Sequence, residues 1–145
     1  MSLNRRTFLT RSAVAGSSLF AAPFVHGAAK ARQYRTALIG TGWWGMNILR
    51  EAVKAGQSKV VALCDVDEVQ LEASADELSA LTADEPKLLK DYRELLDREQ
   101  IEIAIIATPD HWHALNSIHA LKSGAHVFVE KPTGHTVGES RKSVV

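Results

Sequence analysis

Four short groups of residues in this chain could do chemistry. Gly40-Thr41-Gly42-Trp43-Trp44-Gly45 is a G-x-G-x-x-G segment, and Asp65 is an acid 20 residues beyond its last glycine. Thr108-Pro109-Asp110-His111-Trp112-His113 gathers a hydroxyl and two imidazoles, and Glu130-Lys131-Pro132 sets a carboxylate and an amine ahead of a proline. Glycines at that spacing permit a tight turn (Gly40), close approach of an anionic group to the backbone (Gly42), and close helix–strand packing (Gly45). The free N–H groups of a helix start would then face a phosphate. An acid at the end of the following strand can accept hydrogen bonds from ribose hydroxyls. Together they form a dinucleotide-binding fingerprint, provided that a strand precedes the glycines and a helix follows them.

The surrounding pattern meets that condition. Residues 35–40 are a short apolar run ending in glycine, which predicts a strand. Residues 44–54 carry Met46, Ile48, Leu49, Ala52 and Val53 at helical spacing, and Gly56 closes that helix. Residues 59–65 predict a second strand and 66–81 a second helix, with Asp67 as its N-cap and Pro86 beyond it. Leu88-Leu89 predicts a short third strand, and Asp91-Tyr92-Arg93-Glu94 has the capping-box pattern for a third helix through Leu96. Residues 101–107 are almost wholly apolar, as in a parallel strand buried on both faces. Thr108-Pro109 opens a helix that runs to Gly124, with Pro109 in its first turn. Residues 126–130 predict a fifth strand, and Thr136-x-x-Glu139 a capping box for one more helix. Such alternation specifies an α/β fold, a Rossmann-type doubly wound parallel sheet of order 3-2-1-4-5.

In that order, strands 1 and 4 flank the switch point where ligands sit, outside the carboxyl ends of the strands. A carboxylate at Asp65 would repel the extra phosphate of NADP, and Val66 offers it no arginine, so NAD is favoured over NADP. Trp43 and Trp44 either wall the nicotinamide or substrate site or pack against a second domain. Thr108 either bonds the cofactor or caps its helix. His111 and His113, two residues apart at a helix start, do not converge on one ion, so no metal is expected. His119 and His126 read as fold positions, and Cys64, the one cysteine, as a buried inert thiol. Lys131 is the only lysine ending a buried strand at that rim. Desolvated beside a cationic nicotinamide it could act in proton transfer; otherwise it is a solvated turn residue.

The chain has 145 residues with 17 Lys+Arg against 17 Asp+Glu. The charge is unevenly spread: residues 1–32 hold five of the basic groups and no acid, leaving 12 basic against 17 acidic in residues 33–145. Neither the whole nor the larger part suits a nucleic-acid binder. Arg5-Arg6 precedes an apolar stretch of about 12 residues, shorter than the ~20 of a membrane-spanning helix, and small residues follow it. This is the pattern of a twin-arginine export signal over 1–32, which implies the export machinery as a partner and a periplasmic or exported location. An uncleaved signal would act as a membrane tether. The remaining domain, 33–145, breaks off within a helix, as a fragment of a longer protein would.

Taken together, the glycine loop, Asp65, Ala107-Thr108-Pro109-x-His111-x-His113 and Glu130-Lys131-Pro132 resemble the Gfo/Idh/MocA oxidoreductases. The resemblance covers about residues 34–142. It implies that Gly40, Gly42, Gly45 and Asp65 hold NAD(P); Thr41, Trp43 and Trp44, in the same loop, are further candidate cofactor-binding residues. It also implies that Thr108, Pro109 and His113 line the cofactor pocket, that Glu130 contacts the cofactor, and that Lys131 is the catalytic lysine. The resemblance also implies a second domain, an α+β substrate domain built on an open-faced sheet and not contained in these residues, with a homo-oligomer forming through it. The expectation is the cofactor-binding part of an exported oxidoreductase acting on a sugar or polyol. Some family members are NAD-dependent glycosidases without net redox change, which is the alternative; a non-catalytic nucleotide-binding sensor is the third.

Overall fold

Apolar, β-branched runs alternate with amphipathic segments along the chain, and the computed structural model, which describes residues 32–143, turns each run into a parallel strand. The order is β1 (Tyr34–Ile39), α1 (Trp43–Lys54), β2 (Ser58–Cys64), α2 (Glu68–Ser79), β3 (Lys87–Leu89), α3 (Tyr92–Arg98), β4 (Ile103–Ile106), α4 (Asp110–Lys122), β5 (His126–Val129) and α5 (Val137–Ser143). The strands form one sheet of order β3-β2-β1-β4-β5, every neighbouring pair parallel. This is the expected doubly wound arrangement.

Strand side chains alternate between the two faces, which is how one sheet can feed two cores. Ala37, Ile39, Ala62, Cys64, Ala104 and Ile106 face Tyr92, Leu95 and Leu96 of α3 and Ala120 of α4. Leu38, Val60, Leu63 and Ile105 face the other way, onto Met46 and Leu49 of α1 and Leu71 and Leu78 of α2. Leu38 and Leu63 are fully buried. Truncating one such leucine to alanine removes about 2–5 kcal/mol, a large share of a small domain's stability. Among the described residues the sheet ends on β5, whose Phe128 is 51% exposed.

The caps follow the sequence with two differences. Asp67 caps α2 as expected, accepting from the Val69 and Gln70 N–H groups. Asp91 caps α3 through the Arg93 N–H at 2.8 Å, but the box does not close, because Glu94 turns along the helix to Arg98 at 3.2 Å. At α5 the box does close: Thr136 Oγ1 accepts from the Glu139 N–H, and Glu139 Oε2 accepts from the Thr136 N–H. Pro109 sits one residue before the first turn of α4, at the N-cap, its ψ of 147° still extended.

The apolar stretch and Arg5-Arg6 lie outside the described residues. Arg32, assigned above to the leader, is ion-paired with Glu102 and stacked on the Tyr34 ring, so it is bonded to the domain. No helix among the described residues is long and apolar enough to cross a membrane.

Candidate functional site

A row of backbone hydrogen bonds just past the strand ends aligns the loops that matter. Asp65 N–H donates to Leu89 O, Gly40 N–H to Cys64 O, Ala107 N–H to Ile39 O and Glu130 N–H to Ile106 O. Because the strands are parallel, all four turns emerge on one rim of the sheet.

Between the first and fourth turns the backbones nearly touch. Gly40 has φ +92°, and a Cβ there would lie 2.6 Å from Ala107 O. Left-handed backbone and contact with the neighbouring turn both demand glycine. Gly45 is buried under the loop, where a Cβ would collide with Gly40 O. Gly42 differs, since a Cβ there would meet nothing within 4 Å. It is the N-cap of α1 and opens onto a cleft of about 460 Å³. The first N–H groups of α1 have no partner within the helix and are available to an anion.

The predicted residues divide by location. Gly40, Gly42, Asp65, Thr108 and Pro109 line this cleft together. Thr41 is buried, and turns inward: its N–H and hydroxyl both donate to Asp65 Oδ2, at 2.7 and 3.2 Å. Its carbonyl accepts from Gln70 Nε2 at 2.9 Å and Ser74 Oγ at 3.0 Å, so α2 holds the loop from below. Trp43 and Trp44 are exposed, their ring centroids 5.5 Å apart. Trp44 and Glu130 line a separate groove with Ile48 and Phe128 on the α1 face of the sheet.

His113 is not among the cleft-lining residues. It is 1% exposed, and lies with Nε2 2.7 Å from Thr108 O and Nδ1 2.7 Å from Pro132 O. His111 lies on the surface against Trp112, so the two imidazoles diverge. His119 lies stacked beside Tyr92, its Nδ1 3.0 Å from the phenol oxygen. Lys131 is exposed on the rim, with a cis bond to Pro132. Its backbone N–H lies 3.3 Å from Glu130 Oε2.

Sequence reasoning missed one wall of the cleft. Lys90, Asp91, Tyr92 and Arg93 supply it from the start of α3, and Trp112 and Asn116 from α4. The signal was available, since every helix of a doubly wound sheet starts at the carboxyl rim. The Arg93 backbone N–H, and then its guanidinium, hold the Asp91 carboxyl below the usual range. Cys64, on the floor of the cleft, has its thiol pushed up to about 12, by burial first and then by the Asp65 and Asp91 charges. Asn116 is 1% exposed; its Nδ2 donates to Thr108 Oγ1 at 3.3 Å, while its Oδ1 is buried without a partner among the described residues.

A dinucleotide fits these observations. The open Gly42 backbone, the α1 N-terminus, the Asp65 carboxylate and the apolar walls match pyrophosphate, ribose and base in turn. Residues 34–145 match the family model described as an oxidoreductase family with an NAD-binding Rossmann fold. A glycosyl hydrolase family 109 protein of Stenotrophomonas maltophilia is 36% identical over 142 residues, covering 93% of this chain and 31% of that protein. The chain thus spans about a third of the length of that curated relative. The crystal structure of myo-inositol 2-dehydrogenase from Lactobacillus plantarum superposes with TM-score 0.68 at 30% identity, over 78% of this chain and 32% of that one. The WlbA dehydrogenase of Chromobacterium violaceum, solved with NADH and UDP-GlcNAcA, shares the fold at TM-score 0.69 and 24% identity, over 78% of this chain and 31% of that one.

Proposed function

The chain belongs to the Gfo/Idh/MocA oxidoreductases, with their NAD-binding Rossmann fold, and from this premise we propose that it is the cofactor-holding part of an enzyme that oxidises a CH–OH group of a sugar or polyol. The observation that carries this reading is the shared rim: the open Gly42 backbone and Asp65 at the cleft, and Lys131 two strands away with its amine exposed.

When bound, nicotinamide supplies a hydride acceptor. The chain's own residues do the rest. The N–H groups at the start of α1 would bind the pyrophosphate, and the Asp65 carboxylate would accept from the ribose hydroxyls. Thr108 and Pro109 would wall the cleft on the α4 side. Lys131 would hold the substrate hydroxyl and take part in moving its proton. Asp65 also supports NAD rather than NADP as the cofactor, because a second negative group beside its carboxylate would be repelled.

A second reading is favoured by the glycosyl hydrolase family 109 relative. In it, the same sugar carbon is oxidised and later re-reduced while a glycosidic bond is cleaved, with no net redox change. The Arg5-Arg6 pair supports export by the twin-arginine route under either reading. Lysines at both positions should then leave the protein in the cytoplasm.

Substituting Lys131→Ala in the whole protein tests the assignment. Turnover should fall by on the order of 10²-fold or more, with NAD binding retained. Unchanged turnover would sink the catalytic role of Lys131, whereas NAD binding without turnover in the unsubstituted protein would favour a nucleotide sensor. Absorbance of reduced nicotinamide, followed beside release of an aglycone, separates dehydrogenase from glycosidase.

A further inference from the structure

The turn that carries Lys131 leaves the sheet immediately before that residue. Its last ladder bond is the Glu130 N–H to Ile106 O, at 3.0 Å. Beyond it the chain runs over the end of α4, with Lys131, Pro132 and Thr133 all exposed. A long lysine on such a turn would ordinarily sample many directions. The next tie to the body of the domain comes one residue after the lysine, where Pro132 O lies 2.7 Å from His113 Nδ1. The same imidazole reaches Thr108 O, in the wall of the cofactor cleft, through its other nitrogen at 2.7 Å.

From this we propose that His113 is a positioning residue that fixes Lys131 relative to the cofactor cleft. Lys131 is flanked by two anchors, a sheet bond at Glu130 and the imidazole at Pro132. The imidazole is 1% exposed, so water does not compete for its bonds. Carbonyl oxygens only accept and a neutral imidazole carries one N–H, so the ring bonds one of the two turns in its neutral form and makes a short strut between both, with an N–H against each, as the imidazolium. The strut leans on α4 rather than on either turn, since His113 lies in the first turns of that helix. The two turns are therefore held at a fixed spacing from each other and from α4 through one side chain. His113 does this without touching the cleft itself.

The proposal rests on the catalytic reading of Lys131, and its test separates the two. His113→Leu removes the ring's polar contacts with both turns, while His113→Gln keeps one amide donor. Both variants are made in the whole NAD-loaded protein beside Lys131→Ala, with NAD affinity as the check that the domain is folded. Amide hydrogen exchange is read over residues 133–136 and, as a control, over 41–46. Exchange over 133–136 should quicken by about tenfold or more in His113→Leu, less in His113→Gln, with the control unchanged. The kcat should fall by roughly 10–100-fold in His113→Leu with KM and NAD affinity within about threefold, and His113→Gln should recover part of it. If exchange over 133–136 stays at the wild-type rate in a folded variant, the strut does not exist. If it quickens but kcat holds while Lys131→Ala is inactive, His113 does not position the lysine. If Lys131→Ala is itself active, the catalytic reading fails first, and exchange alone still decides whether the strut is real.

Discussion

Thr41 and Asp65 are joined twice: the Thr41 backbone N–H and its hydroxyl both donate to one Asp65 oxygen, at 2.7 and 3.2 Å. The carboxylate assigned to ribose recognition therefore also holds the glycine loop in shape. Bonds to a charged acceptor contribute about 1.5–3 kcal/mol each when sheltered, and less at this half-buried position. Asp65→Ala should lower stability by about 1–2 kcal/mol in urea unfolding and weaken NAD at least about tenfold. Asp65→Asn, which keeps an acceptor, should recover the stability but not the affinity. Equal stability in Asp65→Ala and wild type would show the loop to be held without the aspartate.

Two glycines of the same loop should respond in opposite ways. A methyl group at Gly45 collides with Gly40 O, whereas one at Gly42 enters open space. Gly45→Ala should therefore lose several kcal/mol of stability, roughly 2–4. Gly42→Ala should stay within about 1 kcal/mol of wild type, yet bind NAD poorly because the methyl occupies the ligand's approach. Calorimetry with and without NAD reads both effects.

Beneath the loop, Ser74 and Gln70 both donate to Thr41 O. Ser74→Ala alone should cost about 1 kcal/mol, since Gln70 still satisfies the carbonyl. Ser74→Ala with Gln70→Ala leaves that acceptor bare, so the pair should cost more than the sum of the singles. NAD affinity should fall in the double variant only. Strict additivity would show that the two donors act independently.

Cys64 gives a pH dependence with a definite sign. Its thiol is raised to about 12 in the folded domain, chiefly by burial, against roughly 8.5 in an unfolded chain. Above the lower value the unfolded state has released a proton that the native state retains, so stability falls as pH rises toward the higher one. Below that window the contribution is fully present. Urea unfolding from pH 8 to 10.5 should show a steeper loss in wild type than in Cys64→Ala. Alkylation of the native thiol at neutral pH should be slow, and should speed up when urea opens the domain.

The strands, the sheet order and the glycine loop were legible because they are written in local periodicity and spacing. The apolar run around Leu38 and Ile105 needs no distant partner to declare itself. Asp67 and Thr136 were legible as caps for the same reason. Asp91 was half legible: its position as a cap is local, but Glu94 chose Arg98 over the box, a competition among side chains that spacing does not decide. The placing of His113 in the cofactor pocket rests on family resemblance, not on spacing. Whether a helix residue faces the cleft or the neighbouring turn depends on the rotation of α4, which is set by packing. The Lys90–Arg93 wall carries only the general signal that helices start at the carboxyl rim; how far the start of α3 overhangs the cleft is set by its packing beside α4, which spacing does not state.

β5 ends the sheet among the described residues, with half of Phe128 uncovered. One side of that strand offers backbone donors and acceptors to whatever extended segment comes alongside, and it carries no proline or bulge to turn such a segment away. Prepared as an isolated piece, the domain would be its own template. Pairing of copies edge to edge is the expected outcome at high concentration, limited by the four-residue length of the strand. A lysine in place of Phe128 would blunt that edge and make the isolated piece easier to handle without disturbing the cleft on the opposite face.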